Sequence, residues 1–131
     1  MSEGSILVVS DEPSIGRALR ITLTAKGYEV NTGSVAEAVK LSESGKYDVV
    51  LLDNDTSSAT ANEACRKIRA RSGAAIIVIG SGNSEERKAH AIRAGADAYI
   101  PKPFGVAEMF AGVHSNMRKV GMQVNSQALV G

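Results

Sequence analysis

The sequence predicts an α/β fold in which five parallel strands form a doubly wound sheet flanked by five helices. Short runs of β-branched and aliphatic residues alternate five times with stretches that carry the helical period of 3.6 residues. The first, third and fourth runs are continuously apolar, which is typical of strands covered by helices on both faces. A length of 131 residues suits one such domain and is too short for two.

The strands are predicted from these apolar runs and from the breaks that bound them. They are Ile6–Val9, Tyr28–Asn31, Val49–Leu52, Ala75–Ile79 and Ala98–Ile100. Strands that alternate with helices form right-handed βαβ units, and the sheet should therefore be parallel. The expected strand order is the flavodoxin-like order 2-1-3-4-5.

The helices are predicted from their apolar faces and from the residues that begin or end them. The buried faces should comprise Ile15, Leu19, Thr22 and Leu23 in the first helix, Val35, Ala38, Val39 and Ser42 in the second, Ala61, Ala64, Cys65 and Ile68 in the third, and Val106, Met109, Phe110, Val113 and Met117 in the fifth. Pro13 lies near the first turn of the first helix, and Ser34 with Glu37 forms a capping-box pattern that opens the second. The fourth helix should run from about Ser84 to Ala94, where Gly95 is well placed to end it.

Composition and charge exclude several classes of protein. The chain has 15 basic and 14 acidic residues without a basic stripe, so nucleic-acid or membrane binding is not expected. The longest apolar runs have only strand length, and the N-terminus lacks a signal-peptide pattern. The single cysteine, Cys65, cannot form an internal disulfide, which favours the cytoplasm, and its apolar helix face predicts a packed core thiol. The helical pattern ends after Lys119, which predicts a domain over residues 1–119 and a tail or truncated linker over residues 120–131.

Three charged residues follow predicted strands at one edge of the sheet. Asp11 lies just past the first strand, Asp53 ends the third, and Lys102 follows the fifth. Ligands of open parallel sheets bind beyond the carboxyl ends of the strands, and the first and third strands should be neighbours. Two carboxylates held close together repel unless a cation lies between them, and Mg²⁺ prefers oxygen ligands. A carboxylate beside Mg²⁺ and a lysine suits covalent phosphoryl transfer, with Asp53 as the in-line nucleophile.

Each of these residues also has a plainer explanation. An aspartate at the end of a strand, such as Asp11, is often only a helix cap or a turn residue. Lys102, which lies between Pro101 and Pro103, has the composition of a solvated loop lysine. Placement of all three residues at strand ends nevertheless favours a joint site.

Three segments of the chain resemble the receiver domains of two-component systems. They are Ile6–Pro13 (ILVVSDEP), Val49–Asp53 (VVLLD) and Gly95–Phe104 (GADAYIPKPF), and their order and spacing match over about residues 5–119. The resemblance implies that Asp53 is the phosphoacceptor, and that Mg²⁺ is held by Asp11, Asp53 and the backbone carbonyl of Asp55. It implies that Lys102 contacts the phosphoryl group and that Tyr99 is the aromatic residue that moves on activation.

Several positions depart from the pattern of that family, among them Ser57 and Ala61 in place of the usual proline and glycine after Asp53, and two departures bear directly on the predicted chemistry. Ser10 stands where the family usually has the first acid of a pair, and its presence predicts weaker Mg²⁺ binding. Gly80 occupies the position of the hydroxyl residue that turns toward the phosphoryl group, which puts the usual link to Tyr99 in question. The next residue, Ser81, is the candidate to contact the phosphoryl group in its place.

The segment from Lys102 onward resembles receivers of winged-helix transcription factors, which often dimerise through the fourth helix, fifth strand and fifth helix. Lys88 and Glu108 match one ionic pair of such dimers, whereas Ala98 and Gly112 stand where a second pair is expected. Exposed ion pairs contribute only about 0–1 kcal/mol each. A homodimer through this face is therefore expected to be weak, because one exposed ion pair would not hold it together.

Three functions remain open from the sequence. The favoured one is a Mg²⁺-dependent phosphoacceptor that receives its phosphoryl group from a sensor histidine kinase or a phosphotransfer protein, and that is not an enzyme in the ordinary sense. The alternative, prompted by Ser10 and Gly80, is a phosphorylation-independent (pseudo-receiver) interaction module. A third is an unrelated small α/β protein, such as a flavin carrier or a metal-dependent phosphatase.

Overall fold

The computed structural model describes residues 4–54, 58–81 and 85–117, without the side chains of residues 58–60. The strands are β1 (Ser5–Val9), β2 (Glu29–Gly33), β3 (Val49–Asp53), β4 (Ala75–Ser81) and β5 (Ala98–Lys102), and the helices are α1 (Pro13–Thr24), α2 (Val35–Ser42), α3 (Ser58–Arg71) and α4 (Glu85–Arg93). A fifth helix, α5, spans residues 106–117. The predicted tail at residues 120–131 lies outside the described residues.

All four strand pairings are parallel, and the order is β2-β1-β3-β4-β5. The predicted fold class is confirmed. β5 continues beyond its predicted end at Ile100 through Pro101 to Lys102. Proline is tolerated there because β5 is an edge strand and pairs only with β4. This extension places Lys102 at the carboxyl end of the sheet, in register with Ser81.

The core is divided between the two faces of the sheet by the alternation of side chains along each strand. On one face, alternate residues of β1, β3 and β4 pack against α2, α3 and α4; on the other, the intervening residues pack against α1 and α5. Cys65 is fully buried on the first face, as predicted. Burial raises the pKa of its thiol to about 11, so the group stays protonated and acts as a packing residue.

Val106 corrects the predicted buried face of α5. Its side chain is 58% exposed, whereas Met109 and Val113 are buried. Val106 begins the helix and lines an open groove with residues of α1 and with Phe104. The helical period alone predicted the buried face but did not indicate that its first residue is exposed.

The capping box at the start of α2 is present. The Ser34 hydroxyl accepts from the Glu37 backbone N–H at 3.2 Å, and the Glu37 carboxylate accepts from the Ser34 N–H at 3.0 Å. These bonds from Ser34 lower the pKa of the Glu37 carboxyl. A lowered pKa in the folded state stabilises the protein above the usual pKa of the group, and this contribution is lost as pH falls through the lowered value.

Replacing Ser34 by alanine should destabilise the protein by about 1 kcal/mol at pH 7, because the Glu37 backbone N–H loses its hydroxyl acceptor and the Glu37 carboxylate loses the Ser34 hydroxyl as a donor. Urea denaturation measures this difference. At a pH below the lowered pKa of Glu37 the difference should shrink, because protonation already weakens the box in the parent chain. A cost of the same size at both pH values would show that Glu37 does not participate.

Candidate phosphoacceptor site

Asp53 lies at the carboxyl end of the central strand β3, where its side chain is only 3% exposed. Its oxygen Oδ1 accepts a hydrogen bond from Lys102 Nζ at 3.0 Å, and the two groups form an ion pair. β4 separates β3 from β5, so the lysine chain crosses the end of β4 to reach the carboxylate. A buried carboxylate needs a paired charge, and Lys102 supplies it.

Ser10 donates a second hydrogen bond to Asp53. The Ser10 hydroxyl lies 2.9 Å from Asp53 Oδ2 and accepts from the Glu12 backbone N–H at 3.0 Å. A hydroxyl has one proton, and the charged acceptor 2.9 Å away is favoured over the Glu12 carbonyl at 3.3 Å. The backbone of Ser10 is itself fixed by its N–H, which donates to the Gly33 carbonyl. The sequence analysis treated Ser10 only as a lost acid, and its contact with Asp53 was missed.

Asp11 lies next in the chain but is engaged elsewhere. Its side chain is exposed, and its oxygen Oδ1 accepts from the Val35 backbone N–H at 3.0 Å, at the first residue of α2. Asp11 thus satisfies one of the open N–H groups of a helix start, which is the plainer role that the sequence left open. Its predicted role as a Mg²⁺ ligand stays a prediction.

The remaining residues that the sequence analysis singled out lie at several places. Ser81 is exposed at the end of β4, and Tyr99 is half-buried on β5 beside Val78. Asp55 lies outside the described residues. Lys88 and Glu108 are both exposed, on α4 and α5.

Asn54 is a further residue that the sequence analysis missed. It directly follows Asp53, it is 5% exposed, and its backbone N–H donates to the Ile79 carbonyl at 2.8 Å. Its oxygen Oδ1 is buried and has no hydrogen-bond partner in the part of the chain that the structure describes. The signal available in the sequence was an amide side chain directly after an apolar strand. The structure shows it buried, and asparagine is rarely buried without a structural or functional reason.

The donor chemistry of the site suits a hard cation. The carboxylates of Asp11 and Asp53 follow adjacent strands, and magnesium prefers such oxygen ligands. Within the described ranges, no three Asp, Glu, His or Cys side chains cluster closely enough to hold a metal ion. A cation would therefore need a shift of these side chains, or further ligands from the backbone or from water.

Comparison with known proteins identifies the arrangement. A family model described as the response regulator receiver domain matches residues 6–114. The transcriptional regulatory protein KdpE of Mycobacterium tuberculosis is 37% identical over 115 residues, which are 87% of this chain and 51% of that protein. The response regulator ArlR of Staphylococcus aureus is 34% identical, over 87% of this chain and 52% of its own length. The chain spans about half the length of these curated relatives.

A solved structure agrees with these matches. The chemotaxis protein CheY4 of Vibrio cholerae superposes with a TM-score of 0.78 and 26% identity, covering 86% of this chain and 97% of that one. Among the helices of the described residues, none combines the length and apolarity that a membrane span requires.

Replacing Lys102 by methionine should destabilise the protein by about 2 kcal/mol, because the buried Asp53 carboxylate loses the positive charge of the Lys102 ammonium. This is below the cost for fully buried pairs, since Lys102 keeps some contact with water. Urea denaturation of the two proteins measures the change.

The matched control is the same replacement in an Asp53→Asn background. There the carboxylate charge is gone, and Lys102→Met should cost far less. Equal costs in the two backgrounds would show that the ion pair does not stabilise the site.

Proposed function

The chain belongs to the family of response regulator receiver domains of two-component systems, and we propose that it accepts a phosphoryl group on Asp53 from a sensor histidine kinase or a phosphotransfer protein. The observation that carries this proposal is the contact of Lys102 Nζ with Asp53 Oδ1 at 3.0 Å, at the carboxyl edge of the sheet. Lysine and carboxylate together provide a nucleophile and a cation that remains beside it once a phosphoryl group is attached.

The transfer step follows from the groups at this edge. An oxygen of Asp53 forms a bond to phosphorus while the phosphorus–nitrogen bond to the donor histidine breaks, and the imidazole nitrogen keeps the electron pair. The product carries about two negative charges in place of one, and the Lys102 ammonium offsets part of that increase. If Oδ2 is the oxygen that attacks, its hydrogen bond from Ser10 would lower its nucleophilicity.

Magnesium is the cofactor that this function implies. Asp53 and Asp11 would hold it, together with the backbone carbonyl of Asp55. When bound, Mg²⁺ offsets the charge on the phosphoryl oxygens. Because Ser10 adds no charge where a further acid would help to bind a cation, the affinity for Mg²⁺ should be modest.

The protein that donates the phosphoryl group needs a surface beside Asp53. An open groove of about 580 Å³ between α1 and the start of α5 has mostly apolar walls, including Ile15, Phe104 and Val106, and reaches Lys102. A helix of the donor protein seated there would bring its histidine to the same edge as Asp53. A homodimer through α4, β5 and α5, in which Lys88 meets Glu108, is a separate proposed contact.

The rest of the proposed function concerns location and turnover. We place the domain in the cytoplasm, where histidine kinases present their phosphohistidine, and assign it no nucleic-acid or membrane contact of its own. The domain is a phosphoryl acceptor rather than an enzyme, because the phosphoryl group ends on its own side chain. Phosphorylation would alter an interaction surface by adding charge at the edge of the sheet.

Incubation with acetyl phosphate and Mg²⁺ should add one phosphoryl group to the chain, because a small acyl phosphate replaces the donor protein. Intact-mass spectrometry detects the adduct. The matched control, Asp53→Asn, keeps the size and shape of the side chain but removes the nucleophile, and should show no adduct. A folded parent chain that stays unmodified at high Mg²⁺ would instead support the phosphorylation-independent module.

A further inference from the structure

Gly80 is a buried glycine whose backbone does not require glycine. It lies one residue before the end of β4, and its φ is not in the left-handed region. Glycine inside a strand costs stability relative to other residues, so its presence indicates a need for space. A side chain at this position would place Cβ 2.6 Å from Tyr99 Oη and 2.9 Å from Tyr99 Cε2. The tyrosine ring therefore occupies the space of the missing side chain.

The position of this ring connects β5 with the phosphoacceptor edge. Tyr99 pairs with Val78 on β4 and packs against the core cluster that includes Ala91 and Ala94. From there its hydroxyl extends toward the carboxyl end of β4 and reaches Gly80, which follows the register partner of Asp53. The ring thus lies between the helix face that carries α4 and the edge that carries the phosphoacceptor.

We propose that Tyr99 is a fixed wall of the phosphoacceptor site, held over Gly80 in the same position whether or not Asp53 carries a phosphoryl group. The inference rests on the proposed function. A bound group shifts a side chain between two positions only if it changes their relative free energies. A side chain at residue 80 would compete with the ring for this space and link its position to the site, and Gly80 has none. The apolar contacts of the ring favour the inward position in both states.

This arrangement has a consequence for signalling. The surface around Tyr99 and α4 has one packing in both states, so a partner that recognises it binds independently of phosphorylation. A phosphorylation-dependent change must then arise from other elements at the edge of the sheet. Gly80 thereby makes the packing of the surface around Tyr99 and α4 independent of phosphorylation at Asp53.

The first test follows Tyr99 by nuclear magnetic resonance. The chain has three tyrosines, so ring labelling gives few signals. Beryllofluoride with Mg²⁺ serves as the phosphoryl mimic, and the Asn54 amide reports its binding. The nuclear Overhauser contact between the Tyr99 ring and the Gly80 α-protons should persist after beryllofluoride binds. Loss of that contact on binding would overturn the proposal.

The second test needs no phosphoryl mimic, so it stands even if Asp53 proves unreactive. Gly80→Ala should push the Tyr99 ring outward, because the new Cβ would lie too close to Tyr99 Oη and Cε2. These atoms are at the far end of the tyrosine side chain, which can rotate away. Nitration of Tyr99 by tetranitromethane, located by peptide mass, should become several-fold faster. Gly73→Ala is the matched control, since a Cβ there meets nothing within 4 Å. Unchanged nitration in Gly80→Ala would show that the ring is not held over Gly80, whatever the phosphorylation assay gives.

Discussion

The ion pair between Asp53 and Lys102 is the interaction on which the site depends. Asp53 is 3% exposed, and an unpaired carboxylate at that depth would destabilise the fold. Lys102 reaches it only because β5 extends through Pro101 and because the parallel order places β3 two strands away. The sheet topology brings the lysine within reach of Asp53, and the lysine in turn stabilises a buried carboxylate at the end of the central strand.

The fold was predictable because its signals are local and repeated. Continuous apolar runs marked β1, β3 and β4, and the capping pattern of Ser34 and Glu37 marked the start of α2. Boundaries were less predictable: β2 runs from Glu29 to Gly33, two residues past the predicted end at Asn31, since its polar, largely exposed residues give no burial signal. Val106 was wrongly predicted to be buried for a related reason, because a helical period does not reveal which residues at the end of a helix are exposed.

The site was predictable in its residues and less so in its contacts. Strand-end position brought Asp53 and Lys102 to one edge, and the structure joins them. Strand-end position did not indicate that Asp11 would accept from the N–H of Val35. The predicted Mg²⁺ ion and this N–H lie at the same edge of the sheet, and only the orientation of the Asp11 side chain decides between them. Likewise, the replacement of an acid by Ser10 predicted a loss, whereas the hydroxyl is a donor to Asp53. The spacing of residues in the sequence predicts at which strand end they lie, whereas the partners of their hydrogen bonds depend on the folded backbone.

Two of the departures from the family pattern, Ser10 and Gly80, have the same physical effect. Ser10 replaces a charge beside Asp53 by a neutral donor, and Gly80 replaces a side chain by space that Tyr99 fills. An additional acid would raise the electrostatic cost of the resting site and make a cation necessary, whereas the serine leaves Asp53 balanced by Lys102. A side chain at residue 80 would compete with Tyr99, whereas the glycine leaves the ring in place. Both changes stabilise the resting arrangement, so the proposed phosphorylation would relieve less electrostatic repulsion and less steric competition at the edge of the sheet.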